Sequence, residues 1–102
     1  MSNTNTPAWK FNDPPNVAVI ARKNIFTHGD VIVYVTHDSD DGCWQFHTAQ
    51  PEAVDINDAC LVSLQSIVEH DPTIEQLAAL PLGWCASRSS VHQGWEMGPL
   101  AE

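Results

Sequence analysis

Hydrophobic and polar positions along the middle of the chain follow the alternation that is typical of paired β-strands. The run VIVYVT at residues 31–36 is rich in β-branched side chains, and CWQFHT at residues 43–48 alternates aromatic with polar positions. Both compositions favour strands. An aspartate-rich segment that ends in glycine separates the two runs. We therefore predict an antiparallel hairpin over residues 31–48 with its tip at residues 38–42.

Three shorter apolar runs predict further strands. These are VAVIA at residues 17–21, CLV at residues 60–62 and GWCASR at residues 83–88. The segment VHQGWEMGPLAE at residues 91–102 contains two glycines and a proline and shows no strand pattern. We predict that it is irregular, with Trp95 folding back on the domain.

Helical spacing and capping residues predict short helices in the second half of the chain. A helical turn is expected at residues 55–59 with Asp55 as its N-cap, and Ser63 can cap the next helix. That helix must end before Pro72, because the residue preceding a proline is pushed out of the helical region. Asp71 and Pro72 then suit the N-cap and first position of another helix. The inner faces are predicted to carry Leu64, Ile67 and Val68, and then Ile74, Leu77 and Ala78.

The order of these elements predicts an α+β fold. We expect a single domain with a mostly antiparallel sheet and two or three short helices. The length of 102 residues and the apolar content of 43% suit one globular domain. We assign residues 1–16 to a flexible N-terminal arm, residues 17–96 to the α+β domain and residues 97–102 to a C-terminal tail.

The net charge excludes several classes of partner. Thirteen acidic and four basic residues give a formal charge of −9, and the basic residues do not cluster. A protein that binds nucleic acid or an anionic membrane needs clustered cations, so neither partner is expected. A basic protein partner would be attracted instead. The sequence does not indicate the oligomeric state.

The cysteines and the first residues indicate a cytoplasmic location. The three cysteines are widely spaced and form no Cys-x-x-Cys motif, so no disulfide framework is expected. The opening MSNTNTPAWKF lacks the basic and apolar regions of a secretory signal peptide. No apolar run approaches the roughly 20 residues that span a bilayer.

The stretch HDSDDGCWQFH supplies the strongest candidate for site chemistry. Its aspartates do not follow the spacing of a calcium-binding EF-hand loop. One interpretation is a structural turn that holds no metal or other cofactor. The alternative is a small metal-dependent or hydrolytic enzyme, with a site made of His37, Asp38, Asp40, Asp41 and His47.

Four tryptophans are many for a chain of this length. Trp44 and Trp84 lie in predicted strands, and we expect them in the core. Trp9 and Trp95 lie in the arm and after the last predicted strand. Because tryptophan is enriched at binding hot spots, Trp9 and Trp95 are candidate interface residues.

Three segments of the chain, HDSDDGCWQF, VSLQSIVEHDP and LPLGWCASR followed by Trp95, carry a resemblance to known sequences. They resemble a small bacterial family of uncharacterised domains, catalogued near predicted immunity proteins of polymorphic toxin systems. The resemblance runs from about Val17 to Trp95. At Ser87 the chain departs from the family pattern, which has an aromatic there. The resemblance implies a compact α+β domain with no established activity.

Together these observations favour a non-catalytic cytoplasmic protein that binds another protein, with an immunity role as its specific form. An acidic protein can cover a basic toxin surface and be steered towards it. A concave pocket in which the histidines and aspartates converge would instead favour the enzyme.

Overall fold

The computed structural model describes residues 9–49 and 58–100. The predicted helical turn at residues 55–59 falls largely outside these ranges, together with its cap Asp55 and the first eight residues of the arm. The elements are β1 (Ala18–Arg22), α1 (Asn24–Thr27), β2 (Ile32–His37), β3 (Trp44–Thr48), β4 (Ala59–Ser63), α2 (Leu64–His70), a 3₁₀ helix (Pro72–Leu77), β5 (Trp84–Ser87) and β6 (Glu96–Pro99).

The strands form one six-stranded sheet in the order β4-β1-β3-β2-β5-β6. Only β1 and β3 are parallel neighbours; the other four adjacent pairs are antiparallel. The predicted α+β class with a mostly antiparallel sheet is confirmed. None of the helices in the described ranges is long and apolar enough to cross a membrane.

The central hairpin forms as predicted, with β2 and β3 antiparallel. Val35 lies opposite Phe46, and His37 lies opposite Trp44. The loop between the strands is closed by a 2.9 Å hydrogen bond from the Asp38 amide to the Cys43 carbonyl. Trp44 and Phe46 are buried together, as their alternation predicts.

The break between the two helices also forms at Asp71 and Pro72. The Ser63 hydroxyl caps α2 by accepting a 3.1 Å hydrogen bond from the Ser66 amide. Asp71 caps the following segment by accepting a 3.0 Å bond from the Thr73 amide. That second segment is a 3₁₀ helix.

Two elements were not predicted. The segment predicted to be irregular contains β6, which pairs with β5 and crosses the predicted boundary between domain and tail at residue 96. Gly98 and Pro99 have low strand propensity, so the sequence pattern does not predict this strand. An edge strand tolerates both residues because it needs hydrogen bonds on one side only. A short helix, α1, forms in the loop between β1 and β2 and buries Ile25.

The core lies where the sheet packs against the helices. Val19, Val35 and Phe46 from the sheet are fully buried, as are Ile67 and Leu77 from the helical segments. The described part of the arm joins this core rather than standing free. Its Phe11 ring meets Trp44 edge to face at 5.4 Å.

Arg88 connects three parts of the fold from a buried position. Its Nε donates to the Ile32 carbonyl at 2.9 Å, and its Nη1 donates to the Thr73 hydroxyl at 2.9 Å. Its Nη2 pairs with the Asp71 carboxylate at 2.8 Å. The guanidinium carbon lies 4.1 Å from the centre of the Trp95 ring. Trp95 therefore folds back on the domain, as predicted.

Candidate functional site

His37 and His47 lie on opposite faces of the sheet. The His37 ring stacks on Trp44 with 3.9 Å between ring centres, which places His37 on the side of the core. His47 lies opposite Tyr34 in the register, with 5.8 Å between the rings. Because Trp44 and His47 are three positions apart on one strand, their side chains point to opposite faces.

The three aspartates do not join His37 either. Asp38 accepts a 2.7 Å hydrogen bond from the Gln45 amide, which belongs to the face that carries His47. Asp41 accepts from the Cys43 amide at 2.9 Å and so caps the turn, while Asp40 is exposed. Within residues 9–49 and 58–100, no three His, Cys, Asp or Glu side chains are grouped to hold a metal ion.

The pKa shifts in this region favour the neutral forms of His47 and Cys43. Burial lowers the pKa of His47, and the nearby Arg22 guanidinium lowers it further, against a smaller opposite effect of Asp38. Burial raises the pKa of the Cys43 thiol, and the carboxylates of Asp41 and Asp38 raise it further. The reactive thiolate is therefore disfavoured at Cys43.

A cleft of about 380 Å³ opens beside His37, and we call it the His37 cleft. Its volume falls in the range of small ligand sites. It lies where the arm, the hairpin and the segment between the 3₁₀ helix and β5 meet. The lining residues are Asn12, Asp13, His37, Gly42, Trp44, Ala78, Ala79, Leu80, Pro81 and Leu82.

The hydrogen bond to His37 defines its neutral tautomer. Nδ1 lies 2.8 Å from the Leu80 carbonyl oxygen. A carbonyl oxygen can only accept, so Nδ1 carries the proton and the lone pair of the neutral ring is on Nε2. His37 is thereby held in orientation at the wall of the cleft.

Asp13 places a carboxylate in the same cleft. Its Oδ2 accepts a 2.8 Å hydrogen bond from the Trp44 indole, and its backbone carbonyl accepts one of 2.6 Å from the Trp9 indole. The first bond attaches the arm to the hairpin, and the second lies within the arm. Asp13 was not predicted as a site residue because it lies 24 positions before His37. The local signal in the sequence is the pair of aromatics just before it, Trp9 and Phe11.

An apolar rim and an acidic loop border the mouth of the cleft. Leu82 is 56% exposed, although it is a large apolar residue. We call residues 38–41 the acidic loop. The loop ends beside the apolar rim, because a Cβ placed on the next residue, Gly42, would lie 3.9 Å from the Leu82 Cδ2 atom. The Gly83 amide donates to the His37 carbonyl at 2.6 Å and fixes the two segments together.

The fold removes half of the positive charge from the surface. Arg22 and Arg88 are buried, whereas Lys10 and Lys23 are exposed. In the described part of the chain the exposed acidic residues are Asp40, Asp41, Asp58, Glu69 and Glu96. Lys10 and Lys23 are the basic residues left at the surface to offset these carboxylates.

The two tryptophans predicted as interface residues are half-buried. Trp9 packs against Phe11 with 5.5 Å between ring centres, and Trp95 packs under Arg88. Leu82 and Leu61 expose larger fractions of their side chains to solvent. Of these two leucines, Leu82 lies at the His37 cleft, and it was not predicted as an interface residue.

Comparison of the chain with protein-family models, with curated proteins and with solved structures finds no match.

Proposed function

We propose that this protein is a non-catalytic binding module that engages a basic protein partner through the His37 cleft and the acidic loop. The observation that carries the proposal is the position of an apolar rim and the half-buried Asp13 carboxylate next to the acidic loop. Such a surface offers both desolvated contacts and attraction for cations.

The cleft suits a lysine or arginine side chain of the partner. The Asp13 carboxylate provides the opposite charge, and one of its oxygens is already oriented by the Trp44 indole. The apolar stem of such a side chain would pack along Pro81 and Leu82. The aspartates of the acidic loop would act at longer range and raise the association rate.

The resemblance of the chain to domains catalogued near immunity proteins suggests a specific form of this function. In this form the partner is a basic toxin in the cytoplasm, and the acidic surface covers its active region. An immunity role requires tight association and no chemistry, which suits a cleft with an oriented carboxylate and an apolar rim.

A matched pair of peptides tests the cleft. The probe is a synthetic peptide alternating arginine with leucine, and its counterpart carries neutral citrulline in place of arginine. We expect binding of the arginine peptide that weakens with salt, and much weaker binding of the citrulline peptide. Fluorescence anisotropy over a range of NaCl concentrations measures both.

Charge-matched variants locate the binding surface. Asp13→Asn keeps an acceptor for the Trp44 indole but removes the charge, and we expect about tenfold weaker peptide binding, equivalent to about 1.4 kcal/mol. Glu96→Gln removes the same charge from β6 and should leave the affinity within about twofold. Equal weakening by the two variants would show diffuse charge attraction and contradict the proposal.

The enzyme alternative has a direct test of its own. Chelator-treated protein is titrated calorimetrically with zinc, manganese and calcium. Micromolar binding that is lost in both His37→Ala and His47→Ala would favour a metal-dependent site over the binding module. The positions of the two histidines on opposite faces predict no such shared loss.

A further inference from the structure

The strand β4 lies at an open edge of the sheet. In the described residues it pairs with β1 and with no second strand. The Lys23 amide donates to the Asp58 carbonyl at 2.7 Å, and the Leu64 amide donates to the Val17 carbonyl at 2.9 Å. Because bonded positions alternate in an antiparallel pair, residues 60 and 62 bond to β1, and residues 59, 61 and 63 direct their backbone groups outward.

Among the described residues, β4 carries neither of two features, charge and proline, that usually prevent edge strands from pairing. The sequence ACLVS contains no charge and no proline, and Leu61 is 72% exposed. The opposite edge, β6, carries Glu96 and Pro99. Charged residues and prolines protect edge strands, so the two edges of this sheet differ in their capacity to pair.

We propose that β4 pairs with β4 of a second copy of this chain in antiparallel orientation, with the two-fold axis at Leu61. The Leu61 amide of each copy donates to the Leu61 carbonyl of the other. The Ser63 amide of each copy donates to the Ala59 carbonyl of the other. The two six-stranded sheets then continue as one sheet across the axis.

The edge is self-complementary in this register. The exposed Leu61 side chain meets its own copy, Ala59 meets Ser63 and Cys60 meets Val62, so no charge enters the contact. Ile20 lies opposite Leu61 on β1 and extends the apolar contact on the same face. The occupant that this pattern fits is therefore a second copy.

The acidic charge of the chain does not oppose this contact locally. The nearest acid on the strand is Asp58, three positions from the two-fold axis. The two copies of Asp58 would be separated by six positions along the strands, which is roughly 20 Å. That separation exceeds the screening length of about 8 Å at physiological salt.

Charge variants at Leu61 test the contact without relying on loss of the fold. Sedimentation velocity from micromolar to submillimolar protein should show a dimer for the unmodified chain. Leu61→Lys and Leu61→Glu should each be monomeric because like charges meet at the axis, and a mixture of the two should form a heterodimer. Met97→Lys, on the opposite edge, should dimerise with a Kd within about twofold of the original.

A disulfide tests the register. In a chain that carries Cys43→Ser, Cys85→Ser and Val62→Cys, oxidation should link the thiol at position 62 to Cys60 of the other copy, because the two positions face each other as a non-hydrogen-bonded pair. Adding Cys60→Ser should abolish the link, since the two position-62 thiols would be roughly 8 Å apart. A monomer at every concentration, or no heterodimer in the mixture, would overturn the proposal.

Discussion

Gly42 closes the acidic loop with a backbone conformation that favours glycine. Its φ is +73°, in the left-handed region, and the loop returns directly into β3 from this point. A side chain there would meet no close contact, since the nearest atom to an added Cβ is 3.9 Å away. The requirement for glycine is therefore conformational and not steric.

Gly42→Ala should consequently destabilise the protein by about 1 kcal/mol. Gly94→Ala is the matched control, because an added Cβ there also meets no atom within 4 Å and its φ is outside the left-handed range. Urea denaturation of the two variants measures the difference. Equal stability of the two variants would show that the conformation at Gly42 carries no strain.

His47 should make stability depend on pH. Burial and the Arg22 guanidinium lower its pKa in the folded protein, so the unfolded chain binds this proton first as the pH falls. The free energy of unfolding should therefore decrease as the pH falls from about 7 through the unfolded value near 6.5 and towards the lower folded value. Denaturation at a series of pH values measures this slope.

A comparison of two histidine variants assigns the slope to its residue. His47→Gln removes the imidazole that binds a proton more readily in the unfolded chain than in the folded protein. The free energy of unfolding should therefore change less between about pH 7 and 5. His92→Gln removes an exposed histidine of the loop before β6 and is the matched control. An equal change in both variants would contradict the role of His47.

At the scale of elements, Arg88 holds β2, the 3₁₀ helix and the segment leading to β6 in one arrangement. Its ion pair with Asp71 is almost enclosed, since the two side chains are 1% and 13% exposed. Removing one partner from a buried pair leaves the other charge without compensation. The geometry also needs a guanidinium, because three nitrogens serve three different acceptors.

We therefore expect Arg88→Met to lower the unfolding free energy by about 3 kcal/mol or more. The double variant Arg88→Met with Asp71→Leu should lose less stability than the sum of the losses in the two single variants. Arg88→Lys should recover only part of the stability, since one ammonium cannot reach all three acceptors. Chemical denaturation of the four variants tests this coupling. Additive losses would contradict it.

Local signals predicted the elements that local interactions determine. The hairpin follows from alternation and a glycine-closed loop, and the break at Asp71 follows from the restriction that Pro72 imposes. The parallel pairing of β1 with β3 depends on partners distant in sequence, and β6 depends on its pairing with β5. Gly98 and Pro99 carry no strand signal of their own, so only the presence of β5 explains that strand.

The candidate site likewise combines a residue that a local signal predicts with a residue that comes from a distant segment. His37 was selected for its position beside an aspartate cluster, but the carboxylate that shares its cleft comes from Asp13 in the arm. Asp38 follows His37 directly in the chain and still points to the other face of the sheet. Proximity in sequence thus grouped residues that the alternation of the strand separates.

At the scale of the whole molecule, the surface charge should oppose the compact state. The formal charge is −9, and both arginines are buried, so acidic groups repel one another across the surface. Salt screens this repulsion, and we expect the Tm to rise between about 0.01 and 0.2 M NaCl. Differential scanning calorimetry measures the change.

The double variant Asp40→Asn with Asp41→Asn provides the matched comparison. It removes two of the exposed charges without altering the Asp38 contact to Gln45. We expect a smaller increase of Tm with salt in this variant than in the unmodified protein. A Tm that falls with salt in both proteins would show that ion pairs, and not repulsion, dominate the surface.

The central position of the β2–β3 hairpin has a kinetic consequence. The β2–β3 and β5–β6 pairs are each joined by a short loop, whereas the other three strand pairings join segments far apart in the chain. Of the two local pairs, only β2–β3 lies at the centre of the sheet. Loop closure favours contacts that are near in sequence, so the hairpin is the natural nucleus from which the sheet grows outward to β4 and β6. Truncating Val35 or Phe46 should slow refolding, whereas truncating Met97 should mainly accelerate unfolding.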